Sequence, residues 1–104
     1  SGFMSYFIFE YLEENRSQFK GMSFASFLKN FEVSTALSEE FLDYSRFSEA
    51  RIDLRNYDAA LKRALKANIA QQLYGPNAYE FILNDGDPML TKVLQLEGKT
   101  TLEK

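Results

Sequence analysis

The Gly75-Pro76 step constrains this chain more than any other dipeptide in it. Upstream, Leu61, Leu65, Ile69 and Leu73 recur every fourth residue, with Leu54, Tyr57, Ala64 and Asn68 on neighbouring rows. That spacing gathers apolar groups on one side of an α-helix, whose start is marked by Asn56 or Asp58. Glycine at position 75 supplies the left-handed C′ conformation that ends a helix, and Pro76 then removes a backbone donor, so the helix cannot continue. Farther on, Asn84-Asp85-Gly86 reads as a turn, and Asp87 followed by Pro88 reads as an N-cap with proline at the first helical position. The expected order is long helix, stop, short helix, turn, helix.

The first half carries the same kind of punctuation. Residues 3–19 place Phe3, Phe7, Tyr11 and Leu12 on one helical stripe, while Met4, Tyr6, Ile8 and Phe9 widen the apolar surface beyond one face. A strand from Tyr6 to Tyr11 competes, but the helical spacing continues through Glu13-Glu14-Asn15-Arg16 and favours helix. Lys20-Gly21 ends that element. Ser23 caps a short helix with Phe24, Phe27, Leu28 and Phe31, and Ser38, followed by Glu39 and Glu40, opens another with Phe41, Leu42, Tyr44 and Phe47. Residues 33–37 form the hinge between them, and a break over residues 51–55 precedes the long helix. The expectation is one all-α domain over residues 1–104, a compact bundle of five or six short helices.

Composition decides which chemistries such a bundle can host. Ten Phe and six Tyr with no Trp, among 104 residues, imply a core built largely of aromatic rings. A net charge of -3 opposes phosphate binding, so nucleic acid is not an expected partner. The chain has no Cys and no His, which removes thiolate nucleophiles, thiolate metal sites, the commonest transition-metal ligand and the usual general base near neutrality. No cofactor and no metal are expected. No apolar run approaches the roughly 20 residues that span a bilayer as a helix. The opening Ser1-Gly2-Phe3, without an initiator Met, suits a piece of a longer protein.

Local features that resemble sites have simpler readings. Lys62, Arg63 and Lys66 could receive an anion or an acidic partner, but a solvated helix face is simpler, since Asp58 lies four residues before Lys62 in the favourable orientation. Asp85 and Asp87 lack the alternating ligands and terminal glutamate of a calcium loop. Glu13-Glu14 and Glu39-Glu40 are neighbours in sequence, hence about 100° apart on a helix, and cannot share a substrate as an acid/base pair. Asn15-Arg16-Ser17 has the form of a glycosylation sequon, a short pattern that chance supplies. Ser23, Ser34 and Ser38 stand at or near helix starts, where a hydroxyl caps, and no glycine-rich turn frames a nucleophile. No catalytic residue is assigned.

Phe3, Tyr6, Phe7 and Phe9 are the interface candidates. Four aromatic rings within seven residues of one helix cannot all enter a single core, which leaves a surface for protein absent from this chain or for a second copy. The alternative is that two of the rings close over the domain's own helices.

One resemblance adds to this reading. The run from Ala60 to Gly75, with Lys66-Ala67, Ile69-Ala70 and Leu73 inside it, then Ala78-Tyr79, Leu83 to Pro88 and Lys92-Val93-Leu94, resembles the C-terminal tail of bacterial carboxyl-terminal processing, or tail-specific, serine peptidases. The aromatic opening from Phe3 to Tyr11 is similar to the segment after the protease core in those proteins. The resemblance implies a non-catalytic C-terminal helical domain whose Ser-Lys core, often joined by a PDZ domain, lies upstream. It further implies that core as an intramolecular partner, a protein substrate for the parent, and a periplasmic or cell-envelope location. A free-standing helical protein-interaction module is the alternative.

Overall fold

The computed structural model describes residues 3–45, 56–83 and 93, and it is all-α. Six helices lie among the described residues: α1 Phe3–Glu14, α2 Arg16–Phe19, α3 Phe24–Asn30, α4 Thr35–Tyr44, α5 Asp58–Tyr74 and α6 Pro76–Leu83. Leu54, Phe47, the break over 51–55, the turn at Asn84 and the cap pair Asp87 and Pro88 lie outside the described residues.

The expected helix over 3–19 is broken in two at Asn15. There φ is -125° and ψ 27°, and the side-chain amide donates to the Tyr11 carbonyl at 2.8 Å. Asparagine offers the backbone this local alternative to the helical ladder, and the break re-aims α2 so that Phe19 is buried. The same bond engages the nitrogen that would carry a glycan. Gly21, at φ 75°, then reverses the chain into Ser23, whose hydroxyl accepts from the Ser26 N–H at 3.1 Å as a cap should.

The start of α4 differs from expectation. Ser34, not Ser38, is the cap, accepting from the Leu37 N–H at 3.0 Å. Residues 35–37 are therefore helix rather than hinge. Ser38 is buried inside the helix and donates to the Thr35 carbonyl at 3.0 Å. Either serine could cap locally. Starting at Ser34 places Leu37 and Phe41 one turn apart on the buried face, a gain the later start would forgo.

Helix α5 is the hub, touching α1, α3, α4 and α6. The spacing of its leucines suggested one apolar side, yet buried positions from Ala60 to Ala70 run round most of its circumference. Alanines at 60, 64, 67 and 70 let neighbouring helices approach closely, while Leu61, Leu65 and Ile69 fill the spaces between them. Each large apolar side chain so buried contributes about 1.5–3 kcal/mol. Phe27, Phe41, Ile8 and Val93 complete the fully enclosed centre. Buried Asn68 is satisfied by Gln72, whose amide also donates to the Ser5 carbonyl at 3.1 Å and ties α5 to α1.

At its C-terminal end α5 is fastened by Tyr74, whose hydroxyl donates to the Met22 carbonyl at 2.7 Å. Burial pushes the Tyr74 hydroxyl above its ordinary value of 10.0. A group whose pKa is raised on folding contributes stability that is complete below the unfolded value and is lost as pH climbs through the folded one. Melting temperatures should therefore fall with pH above about 10, and Tyr74→Phe should make that fall shallower while lowering stability near neutrality by about 1 kcal/mol. An unchanged alkaline slope, read by thermal circular dichroism, would count against this role.

Gly75 closes α5 by a geometry other than the one expected. Its φ is positive, at 102°, but its ψ of 176° is extended rather than left-handed helical. This combination is open essentially to glycine alone. Its N–H donates to the Gln71 carbonyl at 2.8 Å, ending α5, and its own carbonyl accepts from Ala78 N–H at 3.1 Å, starting α6. Pro76 then occupies the first position of α6, where no N–H is needed. One residue thus serves both helices.

Candidate protein-interaction surface

The four aromatic candidates on α1 part company. Phe7 is buried, with its ring 5.4 Å from that of Phe41, and is no part of an exposed surface. Phe3 is half-buried and meets Tyr44 edge-on at 6.0 Å. Tyr6 and Phe9 face outward, 59% and 56% exposed. The division follows from helix geometry: Met4, Phe7 and Ile8 form the face that α4 and α5 cover, and positions 6 and 9 fall on the opposite side. The expected surface shrinks to two rings, of which Phe9 lines a neighbouring groove.

That groove, about 570 Å³, lies between α1, α2 and α5. Leu12 and Leu73 with the edge of Phe19 give it an apolar floor, and Phe9 forms one wall. Arg16 and Lys20 stand on the α2 side, Arg16 paired with Glu13. Tyr6 prolongs the apolar strip past Gln72 into a shallower depression shared with Phe9. The break at Asn15 makes the groove, because a continuous helix would carry Arg16 and Phe19 along the line of α1 instead of turning them toward α5. Of the interface candidates only Phe9 lines this groove; sequence reasoning missed Leu12, Phe19 and Leu73, which the turn at Asn15 and the packing of α1 on α5 bring together.

The three cations of α5 are not a solvated face. The expected Asp58–Lys62 pair is present at 3.2 Å, but Lys62 also donates to Thr35 Oγ1 at 2.9 Å. Arg63 donates through Nε and Nη2 to the Ile82 carbonyl at 3.3 and 3.0 Å. Lys66, its side chain only 15% exposed, donates to the Leu28 carbonyl at 3.2 Å and lies 5.7 Å from the centre of the Phe27 ring. Arg63 and Lys66 thereby satisfy carbonyls in the last turns of α6 and α3, where the helix dipole favours a positive charge. These side chains clamp helices together.

Little here supports catalysis. Tyr11, Tyr44 and Tyr74 are all pushed upward, chiefly by burial, with Glu40 acting further on Tyr11 and Glu10 on Tyr44. A general acid or base working near neutral pH needs the opposite displacement. Ser23 and Ser34 accept capping bonds, Ser38 and Ser45 donate to helical carbonyls, and none is presented to an oxyanion hole. Among the described residues no three His, Cys, Asp or Glu side chains converge to hold a metal ion, and no helix is long and apolar enough to cross a membrane.

Among the described residues the domain is all-helical and presents a groove walled by Phe9. The chain belongs to a family of unknown function, DUF8443, whose model matches residues 1–75. No curated protein and no solved structure matches the chain. The matched span ends at the Gly75 cap and contains every residue of the α1–α2–α5 groove.

Proposed function

We propose that this domain acts by protein contact, as a non-catalytic helical module that takes an apolar segment of partner protein into the groove between α1, α2 and α5. The observation that carries the reading is the pair of outward rings, Tyr6 and Phe9, beside an apolar-floored groove of about 570 Å³. Large exposed aromatic groups next to a concave apolar surface are the composition of an interface core, and Tyr and Phe are enriched there.

A narrower form of this proposal makes the module the C-terminal helical domain of a carboxyl-terminal processing serine peptidase, held against a Ser-Lys core in the periplasm or cell envelope. Its support is the resemblance of the run from Ala60 onward, together with the order long helix, glycine stop and tyrosine-bearing short helix, which α5, Gly75 and α6 with Tyr79 follow. In that setting the domain supports a neighbouring catalytic unit that cleaves protein tails and does no chemistry itself.

A photo-crosslinking residue placed at exposed Ser17, on the groove wall, tests both forms in the full-length protein. One dominant protein adduct is expected, and Tyr6→Ser with Phe9→Gln should abolish it while shifting stability by no more than about 0.5 kcal/mol. Scattered adducts, or adducts indifferent to the double substitution, would refute the docking groove. An adduct mapping to anything other than a protease core would leave the module and remove the peptidase assignment.

A further inference from the structure

A second groove lies between α3, α5 and α6 and has a volume of about 470 Å³. Its apolar surface comes from Leu28, Val33 and Ile82, and Phe81 stands at its mouth, 63% exposed and in edge contact with Phe24 at 5.9 Å. Lys62, Arg63 and Lys66 line it, with Glu32 as the single carboxylate among the lining residues. This is a concentration of positive charge on a chain whose net charge is -3. On the flank between α1 and α4 the sign reverses, with Glu10, Glu14 and Glu40 around a separate depression.

We infer that this groove is a docking site for an acidic protein segment, one that sets an apolar side chain against Phe81, Leu28 and Ile82 and places carboxylates beside Lys62 and Lys66. Charge complementarity selects the occupant. The bonds already described, from Lys62 to Thr35 and Asp58 and from Lys66 to the Leu28 carbonyl, hold the two lysines in place without exhausting their donors. A lysine ammonium has three N–H donors; Lys66 spends one on the Leu28 carbonyl, and Glu32, at 3.6 Å, is beyond hydrogen-bonding distance. An anion arriving there meets charges whose side-chain freedom folding has already removed, which lowers the ordering cost of binding. The apolar floor and exposed Phe81 favour a peptide over a nucleic acid, for which a broad cationic surface would be needed.

The site is independent of the Tyr6 and Phe9 surface and stands or falls separately. The probe is a blocked hexapeptide, Glu-Glu-Leu-Glu-Phe-Glu, titrated into the ¹⁵N-labelled chain and followed by backbone amide shifts. Expected are shifts clustered at Leu28, Lys62 and Ile82 that shrink as salt rises, since exposed charges are screened within about 10 Å at 0.1 M. Phe81→Ser should abolish the shifts, and Glu32→Gln should strengthen binding about two- to fivefold by removing the one carboxylate among the lining residues, Asp58 keeping its pair with Lys62. Both residues are exposed, so neither change threatens the fold. Tyr6→Ser with Phe9→Gln should leave the titration unaltered. Absence of shifts, equal binding of the peptide with lysine in place of glutamate, or tighter binding of a thymidine oligonucleotide would each overturn the assignment.

Discussion

Phe27→Ala is expected to be the most damaging single substitution in the described part of the chain, costing about 3–5 kcal/mol. The ring is fully enclosed. It stacks on Phe31 at 5.0 Å with the planes 10° apart, meets Tyr74 at 5.6 Å and Phe19 at 6.4 Å, and lies beneath the Lys66 ammonium. Truncation removes the buried apolar area and leaves a cavity that the rings of Phe19 in α2, Phe31 at the C-cap of α3 and Tyr74 in α5 cannot collapse into, because the packed helices hold each in place. It also takes away the face that Lys66 rests on. Against a total stability of about 5–15 kcal/mol for such a domain, the loss should lower the melting temperature by roughly 15–30 °C. Phe81→Ala, at an exposed ring, should change stability by no more than about 0.5 kcal/mol. Thermal unfolding of the two variants side by side, followed by circular dichroism, decides the matter: comparable melting temperatures would mean that Phe27 is not the centre of the aromatic cluster.

The second large effect is expected at Gly75, and its pattern matters more than its size. A side chain added there meets no atom within 4 Å, so any penalty comes from the backbone alone. With φ at 102° and ψ at 176°, alanine and valine should each lose about 1–3 kcal/mol, valine the more because branching at Cβ narrows the allowed backbone further. Asparagine is the informative variant. At an ordinary left-handed cap it is the best substitute for glycine, since it tolerates φ and ψ near +60° and +45°. At an extended ψ that tolerance does not help, and Gly75→Asn should be as destabilising as Gly75→Ala. Near-native stability of the asparagine variant would show that residue 75 is a left-handed helical cap instead. Lys62→Ala, which removes the bonds to Asp58 and Thr35 at a partly solvated site, should cost less than either glycine variant.

Much of the helical plan was legible before any coordinates. Ser23 opens α3, Gly21 and Gly75 interrupt, Pro76 begins α6, and each acts over three or four residues through a constraint that belongs to the residue itself: a hydroxyl within reach of an N–H, a missing Cβ, a fixed φ. Ser34 and Ser38 show where that local logic stops. Both can cap, and the choice fell to the helix start that buries Leu37 and Phe41. Asn15 shows it again, since breaking the first helix is favoured only because Phe19 then joins the aromatic core.

The candidate surfaces were less legible, for a reason in the physics of burial. Nothing in the order Phe3, Tyr6, Phe7, Phe9 states which ring faces inward, because that depends on where α4 and α5 lie, and those helices come from far along the chain. Lys62, Arg63 and Lys66 read as solvated because the partner near them in sequence is Asp58; Thr35, which Lys62 serves, and the carbonyls of Ile82 and Leu28, which Arg63 and Lys66 serve, become their neighbours only in the folded chain. Sequence alone determined the helical class, the punctuation at Gly21, Ser23, Gly75 and Pro76, and the want of thiol and imidazole chemistry, since these follow from residue types and their spacing. Only the tertiary structure decided which aromatic rings face outward and which cations are clamps, since both depend on contacts between residues distant in sequence.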